Sequence, residues 1–130
     1  MIWMGFFKKK EKKKEQQKAK TEVDKVQLTE DVNEQLAKLE EAEGNDRIEV
    51  LNKLGSLYFE LNEIDKSIEF YETSISENKT LGKAFTDLVK LYNLKRKEAT
   101  AENDREKVQL YLNKSDELMK LTKDTIRGRL

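Results

Sequence analysis

A period of 34 residues constrains the fold of this chain more than any other feature of its sequence. Three large side chains of one segment recur at that distance in a later segment: Leu51 and Phe85, Leu54 and Leu88, Tyr58 and Tyr92. Between the two segments, the small residues Ser67 and Ser74 lie on either side of Tyr71. Helix-turn-helix repeats of about this length bury the apolar face of each helix pair against the next pair. The period therefore predicts stacked helical hairpins.

The remaining apolar residues recur three or four positions apart, which is the spacing of one helix face. The first row after Asp31 is Val32, Leu36, Leu39 and Ala42, and a later row is Val108, Tyr111, Leu112, Ser115, Leu118 and Met119. Asp or Asn is followed three residues later by an acid at positions 31, 46, 62 and 103, a spacing typical of helix starts. The chain has no proline and five glycines, so little interrupts a helix. These patterns predict an all-α domain of about five helices packed in antiparallel pairs.

The chain contains neither cysteine nor histidine. Their absence excludes disulfides, thiol nucleophiles and zinc–sulfur sites, and it removes the commonest general base and metal ligand. The carboxylates lie among lysines at helix-surface spacing, where solvated ion pairs are the expected outcome. We therefore expect no enzyme activity, no catalytic residue, no metal site and no cofactor.

Residues 48–81 resemble the tetratricopeptide repeat family. The positions that carry the resemblance are Leu51, Leu54-Gly55, Tyr58, Ser67, Tyr71 and Ser74, with Asn62 at the turn between the two helices. Serine replaces the alanine that the family usually shows at 67 and 74, and Lys79 stands near its usual proline. The resemblance implies a short right-handed solenoid of stacked antiparallel helix pairs, with the helix that starts at Asp31 as a cap. An unrelated helical bundle is the alternative.

A second and more divergent copy of the repeat begins near Gly82. Val89 stands where the family usually has glycine, and Tyr92 is 16 residues from Val108 where the first copy has nine, an insertion of seven residues. We expect this insertion to lengthen the end of the fourth helix and the loop around residues 98–104. Together these features predict a helical domain over 28–124, a basic arm over 1–27 and a tail over 125–130.

In the tetratricopeptide fold, the first helix of each pair lines a concave face that binds a protein or peptide partner. The resemblance implies ten exposed groove positions here: Glu49, Asn52, Lys53, Ser56, Phe59, Lys83, Thr86, Asp87, Lys90 and Asn93. An exposed aromatic residue is a common anchor for a bound peptide. Phe59 is therefore a candidate anchor, unless it packs against the capping helix.

The groove positions do not reproduce the paired Lys and Asn residues with which some family members grip a terminal carboxylate. Asn52, Ser56 and Asp87 occupy the matching places, so a chaperone-tail function is not supported. Repeat stacks usually need about three units to bury a continuous core. With about two and a half units, we expect a monomer or a weak homodimer.

The amino-terminal arm combines an apolar tip with a block of lysines. Residues 1–20 hold eight lysines and two glutamates, a net charge of +6. The membrane candidates are Trp3, Phe6, Phe7, Lys8, Lys9 and Lys10. The apolar run is far shorter than the about 20 residues that span a bilayer, so the arm predicts reversible binding to an anionic membrane surface. Two alternatives stay open: non-specific contact with nucleic acid, which the acidic remainder of the chain disfavours, and a solvated tail.

The leading hypothesis is a non-enzymatic cytoplasmic adaptor that binds a peptide or protein in its groove and is held at the inner membrane face by its arm. The alternative is a membrane-surface structural or dimerisation factor. Nucleic-acid binding through the lysines ranks below both.

Overall fold

The structure is a computed structural model that describes residues 23–78 and 82–126 of the 130-residue chain. Most of the predicted arm, including Trp3, Phe6, Phe7 and Lys8 to Lys10, lies outside the described residues, as do residues 127–130. The proposals that concern the arm therefore rest on its amino-acid sequence.

Five helices account for nearly all of the described residues, which contain no strand. They are α1 over 23–39, α2 (Gly44–Glu60), α3 (Ile64–Glu77), α4 (Lys83–Ala101) and α5 (Arg105–Ile126). The prediction of an all-α chain with about five helices is confirmed. No helix in the described part of the chain has the length and apolar content to cross a membrane.

Consecutive helices pack side by side, and the order of contact follows the chain. Helix α2 packs on α3, α3 on α4 and α4 on α5, while α2 also touches α4. Helix α1 packs against α2 through Val32, which is buried in one apolar cluster with Val50 and Leu54. A second cluster lies between α3, α4 and α5, and Tyr71 and Leu88 are among its most deeply buried members.

Helix α1 is already helical at residue 23, eight residues before the expected start at Asp31. Leu28 packs against the core cluster of α1 and α2, so the apolar row begins one turn earlier than we predicted. The expected boundaries at 27/28 and 124/125 both fall inside helices, α1 and α5 respectively.

One position of the predicted apolar row of α1 differs in the structure, whereas Val32, Leu39 and Ala42 belong to the row as predicted. Leu36 is 36% exposed, whereas Gln35 is only 4% exposed and takes its place between Val32 and Leu39. The expected row on α5 is thinner than predicted as well. Among its described side chains only Leu118 is buried, and Leu112 and Met119 are exposed because no other helix of residues 23–78 and 82–126 covers that side.

Gly55 lies where α2 and α3 cross at close range. A Cβ atom built on Gly55 would come within 2.7 Å of the Tyr71 ring. At the same crossing, the fully buried Ser67 hydroxyl donates a hydrogen bond to the Gly55 carbonyl oxygen at 2.6 Å. The small residues at 55 and 67 therefore allow α2 and α3 to approach closely.

The turns that end α2 and α4 have the same geometry. Asn62 and Asn103 both adopt a left-handed backbone, with φ of 61° and 58°. In the first turn the Glu63 amide donates a hydrogen bond to the Tyr58 carbonyl oxygen, five residues earlier, at 2.9 Å. In the second, the Asp104 amide donates in the same way to the Ala99 carbonyl oxygen, also at 2.9 Å. These are the bonds of a Schellman motif, which satisfies the last carbonyls of a helix.

The two asparagines therefore end helices, and the prediction that they start helices is wrong. Helix α3 has no side-chain hydrogen bond at its cap, whereas Asp104 caps α5 by accepting from the Lys107 amide at 3.1 Å. This prediction fails for a physical reason: asparagine is favoured both at a helix start and at a left-handed helix end.

The seven inserted residues lengthen helix α4. Helix α4 continues nine residues beyond Tyr92, whereas α2 continues only two beyond Tyr58. The predicted longer loop is wrong, because both turns hold three residues, 61–63 and 102–104. Helix α5 has 22 residues against 14 in α3. The α4/α5 hairpin is thus about two turns, or about 10 Å, longer than the α2/α3 hairpin.

Candidate partner-binding face

The ten predicted groove residues divide between α2 and α4 and differ in exposure. Six are exposed: Glu49, Lys53, Lys83, Thr86, Lys90 and Asn93. Asn52, Ser56 and Phe59 are partly buried, and Asp87 is buried. The rows of α2 and α4 meet where the Lys83 ammonium donates a hydrogen bond to the Ser56 hydroxyl at 2.9 Å. Because these residues belong to different hairpins, the contact places both rows on one surface.

Asp87 corrects the expectation of an exposed groove carboxylate. It is 8% exposed and accepts a hydrogen bond of 2.5 Å from the Tyr71 hydroxyl. Burial raises the pKa of the Tyr71 phenol well above its usual range, and the hydrogen bond to Asp87 and the charge of that carboxylate raise it further. Asp87 therefore joins α3 to α4 beneath the surface.

Asn52 has a similar role one helix away. Its side-chain oxygen accepts a hydrogen bond from the buried Ser74 hydroxyl at 2.5 Å, which joins α2 to α3. Asn52 and Asp87 thus form a polar layer under the exposed row. This layer fixes the helices that carry Lys53 and Lys90.

Phe59 is half-buried and packs against the apolar cluster of α3, α4 and α5. It is neither fully exposed nor packed on the capping helix, so neither sequence-based alternative describes it. Its side chain belongs chiefly to the core.

The exposed row of α4 carries positive charge. Lys83, Lys90 and Lys97 recur at seven-residue intervals, with Thr86 and Asn93 between them, and all five are exposed. No carboxylate occurs at these five positions. At 1.5 Å per residue, the outer two lysines are about 21 Å apart along the helix axis.

The part of the chain that precedes α4 is strongly acidic. Residues 23–78, which hold α1, α2 and α3, contain fifteen Asp or Glu and five Lys or Arg, a net charge of −10. Residues 82–126 contain ten Lys or Arg and eight Asp or Glu, a net charge of +2. The face formed by α2 and α4 therefore runs between an acidic and a mildly basic region.

A second polar cluster lies where α3, α4 and α5 meet. Glu72 accepts hydrogen bonds from the Tyr92 hydroxyl at 2.5 Å and from the Lys114 ammonium at 2.8 Å. Burial raises the pKa of the Tyr92 phenol, and the hydrogen bond to Glu72 raises it further. The cluster borders a cleft of about 280 Å³ that Leu88 and Leu118 help to line. The cluster therefore joins α3, α4 and α5 through hydrogen bonds.

A cleft of about 420 Å³ between α1 and α2 was not predicted from the sequence. It is lined by Gln35, Lys38, Glu41, Ala42, Asp46, Glu49, Val50 and Lys53. Two of these residues, Glu49 and Lys53, are predicted groove positions, so the cleft continues the α2 row toward the cap. The signal that could have revealed it is Gln35, a polar residue in an otherwise apolar helical row.

No group of three or more carboxylates in the described residues is placed to hold a metal ion. No protein family, curated protein or solved structure matches this chain.

Proposed function

We propose that this protein is a non-enzymatic interaction module that binds a peptide or protein partner along the face formed by α2 and α4. In this proposal the two hairpins are stacked as in a short right-handed tetratricopeptide solenoid, α1 caps one end, and the shared face is the concave groove. The observation that carries the proposal is the contact between Lys83 and Ser56, which joins groove positions of two hairpins into one surface.

The order of helix packing supports the repeat arrangement. Each hairpin packs its two helices together, the second helix of the first hairpin packs on the first helix of the next, and the two first helices touch. Leu54 and Leu88, which are 34 residues apart, are both fully buried. The equivalent turns at Asn62 and Asn103 add a repeated local structure to the repeated core positions.

The exposed chemistry of the face suits recognition of a polar chain. Lysine, threonine and asparagine side chains offer hydrogen-bond donors and acceptors on rigid helices, and a rigid scaffold lowers the ordering cost of binding. The layer of buried hydrogen bonds at Asp87 and Asn52 holds those helices in place.

The arm adds a proposed location at the cytoplasmic face of an anionic membrane. Its aromatic tip and lysine block suit reversible attachment, in which each lysine near the surface contributes about 1 kcal/mol. The apolar tip of the arm favours the membrane over nucleic acid, because large apolar side chains can insert into a bilayer interface and have no equivalent contact with a phosphate backbone. Flotation of the full chain with anionic and with neutral vesicles tests it, and equal recovery with both would contradict it.

Affinity capture with the full chain tests the proposed groove. We expect the double variant Lys83→Glu, Lys90→Glu to recover at least tenfold less partner from the native lysate than the unchanged chain does. The matched control is Lys107→Glu, Lys120→Glu, which makes the same charge change at exposed positions of α5. Equal partner recovery by both double variants would contradict the proposal.

A further inference from the structure

Gln35 is a buried polar residue whose side chain lacks a partner in the described part of the chain. It is 4% exposed, and its amide forms no hydrogen bond with the described residues. No polar side-chain atom of those residues is both sealed from solvent and unpaired. The Gln35 amide must therefore open into the α1/α2 cleft that it lines.

A primary amide carries both donors and an acceptor, and the Gln35 amide presents them where it opens into the cleft. A peptide group of another chain offers one N–H and one C=O, so it can satisfy both at once. Helical segments use these groups internally, whereas an extended segment leaves them free. The chemistry at the base of the cleft thus fits the main chain of an extended segment.

The walls of the cleft indicate the side chains that such a segment would carry. Glu41, Asp46 and Glu49 line the cleft and form no ion pair with other described residues. Of the two lysines on its walls, Lys38 is already paired with Glu34 at 3.4 Å. The surrounding residues 23–78 have a net charge of −10, which attracts cations and repels acidic chains.

We propose that the α1/α2 cleft binds an extended, lysine- or arginine-bearing segment of a partner protein, with Gln35 hydrogen-bonding its main chain. The inference rests on the proposed function, because the cleft continues the α2 row of the partner-binding face. It adds the class of partner and a residue that no groove prediction included.

Titration of the isotope-labelled full chain with synthetic peptides at low ionic strength tests this proposal. The probe is a nine-residue peptide of alternating lysine and alanine with blocked ends. One control peptide replaces lysine with glutamate, and a second keeps the lysines but carries N-methyl groups on its central peptide bonds. The readout is the side-chain amide signal of Gln35 in nitrogen–proton correlation spectra.

We expect the lysine peptide to shift the Gln35 signal, and both control peptides to leave it unchanged at the same concentration. Gln35→Leu lacks that signal, so its binding is followed through the backbone amide signals of α2, and it should bind the lysine peptide at least tenfold more weakly. This variant should fold, because it completes the apolar row of α1, and its thermal midpoint checks that it does. Gln27→Leu is the matched control, since Gln27 is exposed on the same helix, and it should keep the original affinity.

Three results would overturn the proposal: equal binding of the glutamate peptide, full affinity of the N-methylated peptide, or unchanged affinity in Gln35→Leu. The chain's own arm is a rival occupant. If replacing its lysines at 8, 9, 10, 12, 13 and 14 with alanine moves the Gln35 signal without any peptide, the arm fills the cleft and the assignment to a partner fails.

The capture assay separates this inference from the proposed function. If Lys83→Glu, Lys90→Glu loses the partner while Gln35→Leu retains it, the cleft assignment fails and the groove stands. If every variant retains the partner, the groove fails as well.

Discussion

At the scale of single residues, the crossing of α2 and α3 depends on the space left beside Tyr71. The Tyr71 ring is fully buried, and its hydroxyl is fixed by the hydrogen bond to Asp87. A Cβ atom added at Gly55 would lie only 2.7 Å from the Tyr71 ring. Because the ring is held at both ends, it cannot move aside.

We expect Gly55→Ala to destabilise the fold by about 1 kcal/mol or more. Overpacking at a rigid site costs about 1–3 kcal/mol, which exceeds the gain of up to about 1 kcal/mol in helix propensity. Urea unfolding followed by circular dichroism measures the change. Gly82→Ala is the comparison without overpacking, because a Cβ atom there meets nothing within 4 Å; since Gly82 is the N-cap of α4, it should lose only roughly 0.5 kcal/mol for the poorer cap. A stabilised Gly55→Ala would contradict the close crossing.

Tyr71→Phe should cost about 1–3 kcal/mol, because it leaves the buried Asp87 carboxylate without its donor. Tyr111→Phe provides the comparison, since Tyr111 packs against the same cluster and has no hydrogen bond through its hydroxyl to the described residues. It should cost less than about 0.5 kcal/mol. Equal losses in the two variants, measured by urea unfolding, would show that the Tyr71 hydroxyl contributes nothing.

At the scale of helices, one ion pair joins the first turns of α2 to the end of α3. The Arg47 guanidinium donates to both Glu77 carboxylate oxygens, at 2.8 and 3.1 Å. The hydrogen bond from Arg47 lowers the pKa of Glu77 below its ordinary value of 4.5, and the charge of Arg47 also lowers it. Since the folded state then holds the proton less tightly than the unfolded chain, the pair stabilises the fold only above that pKa.

We expect Glu77→Gln to be less stable than the unchanged chain at pH 7. The difference should disappear as the pH falls from about 4.5 through the lowered pKa of Glu77, because the carboxylate is then protonated in both states. Urea unfolding at a series of pH values checks this, and Glu69→Gln, an exposed position on α3, is the control. A difference that persists unchanged at pH 3 would argue against the pair.

The two Schellman turns give a paired prediction. Asn62→Ala and Asn103→Ala should each cost about 1 kcal/mol, because alanine tolerates the left-handed backbone poorly. Replacement by glycine at the same positions should be neutral or slightly stabilising. If thermal unfolding shows that only one turn is sensitive, the two hairpins do not end in equivalent ways.

Helix content could be predicted from the sequence because it depends on local spacing, whereas contacts between helices could not. The burial of Asp87 depends on Tyr71, which reaches it from another helix, and a surface position gives no sign of that. On α1, Leu36 and Gln35 are adjacent, so a shift of one residue in helical phase exchanges core and surface. The role of Asn62 was ambiguous for a chemical reason, since asparagine suits both kinds of helix end.

At the scale of the whole molecule, charge divides along the order of the helices. The region of α1 to α3 is acidic, the α4 row is basic, and the basic arm precedes the acidic region. A partner that lies across the face of α2 and α4 would therefore meet acidic and basic regions in a fixed order, which gives the interaction a direction.

Photo-crosslinking in living cells tests the partner-binding face most directly. Benzoylphenylalanine is placed at Lys53 or Lys90 on that face, and at Glu69 or Lys120 on exposed positions of α3 and α5. We predict crosslinks to one discrete partner from the first two positions and none from the other two. A partner captured only from Glu69 or Lys120 would contradict the account.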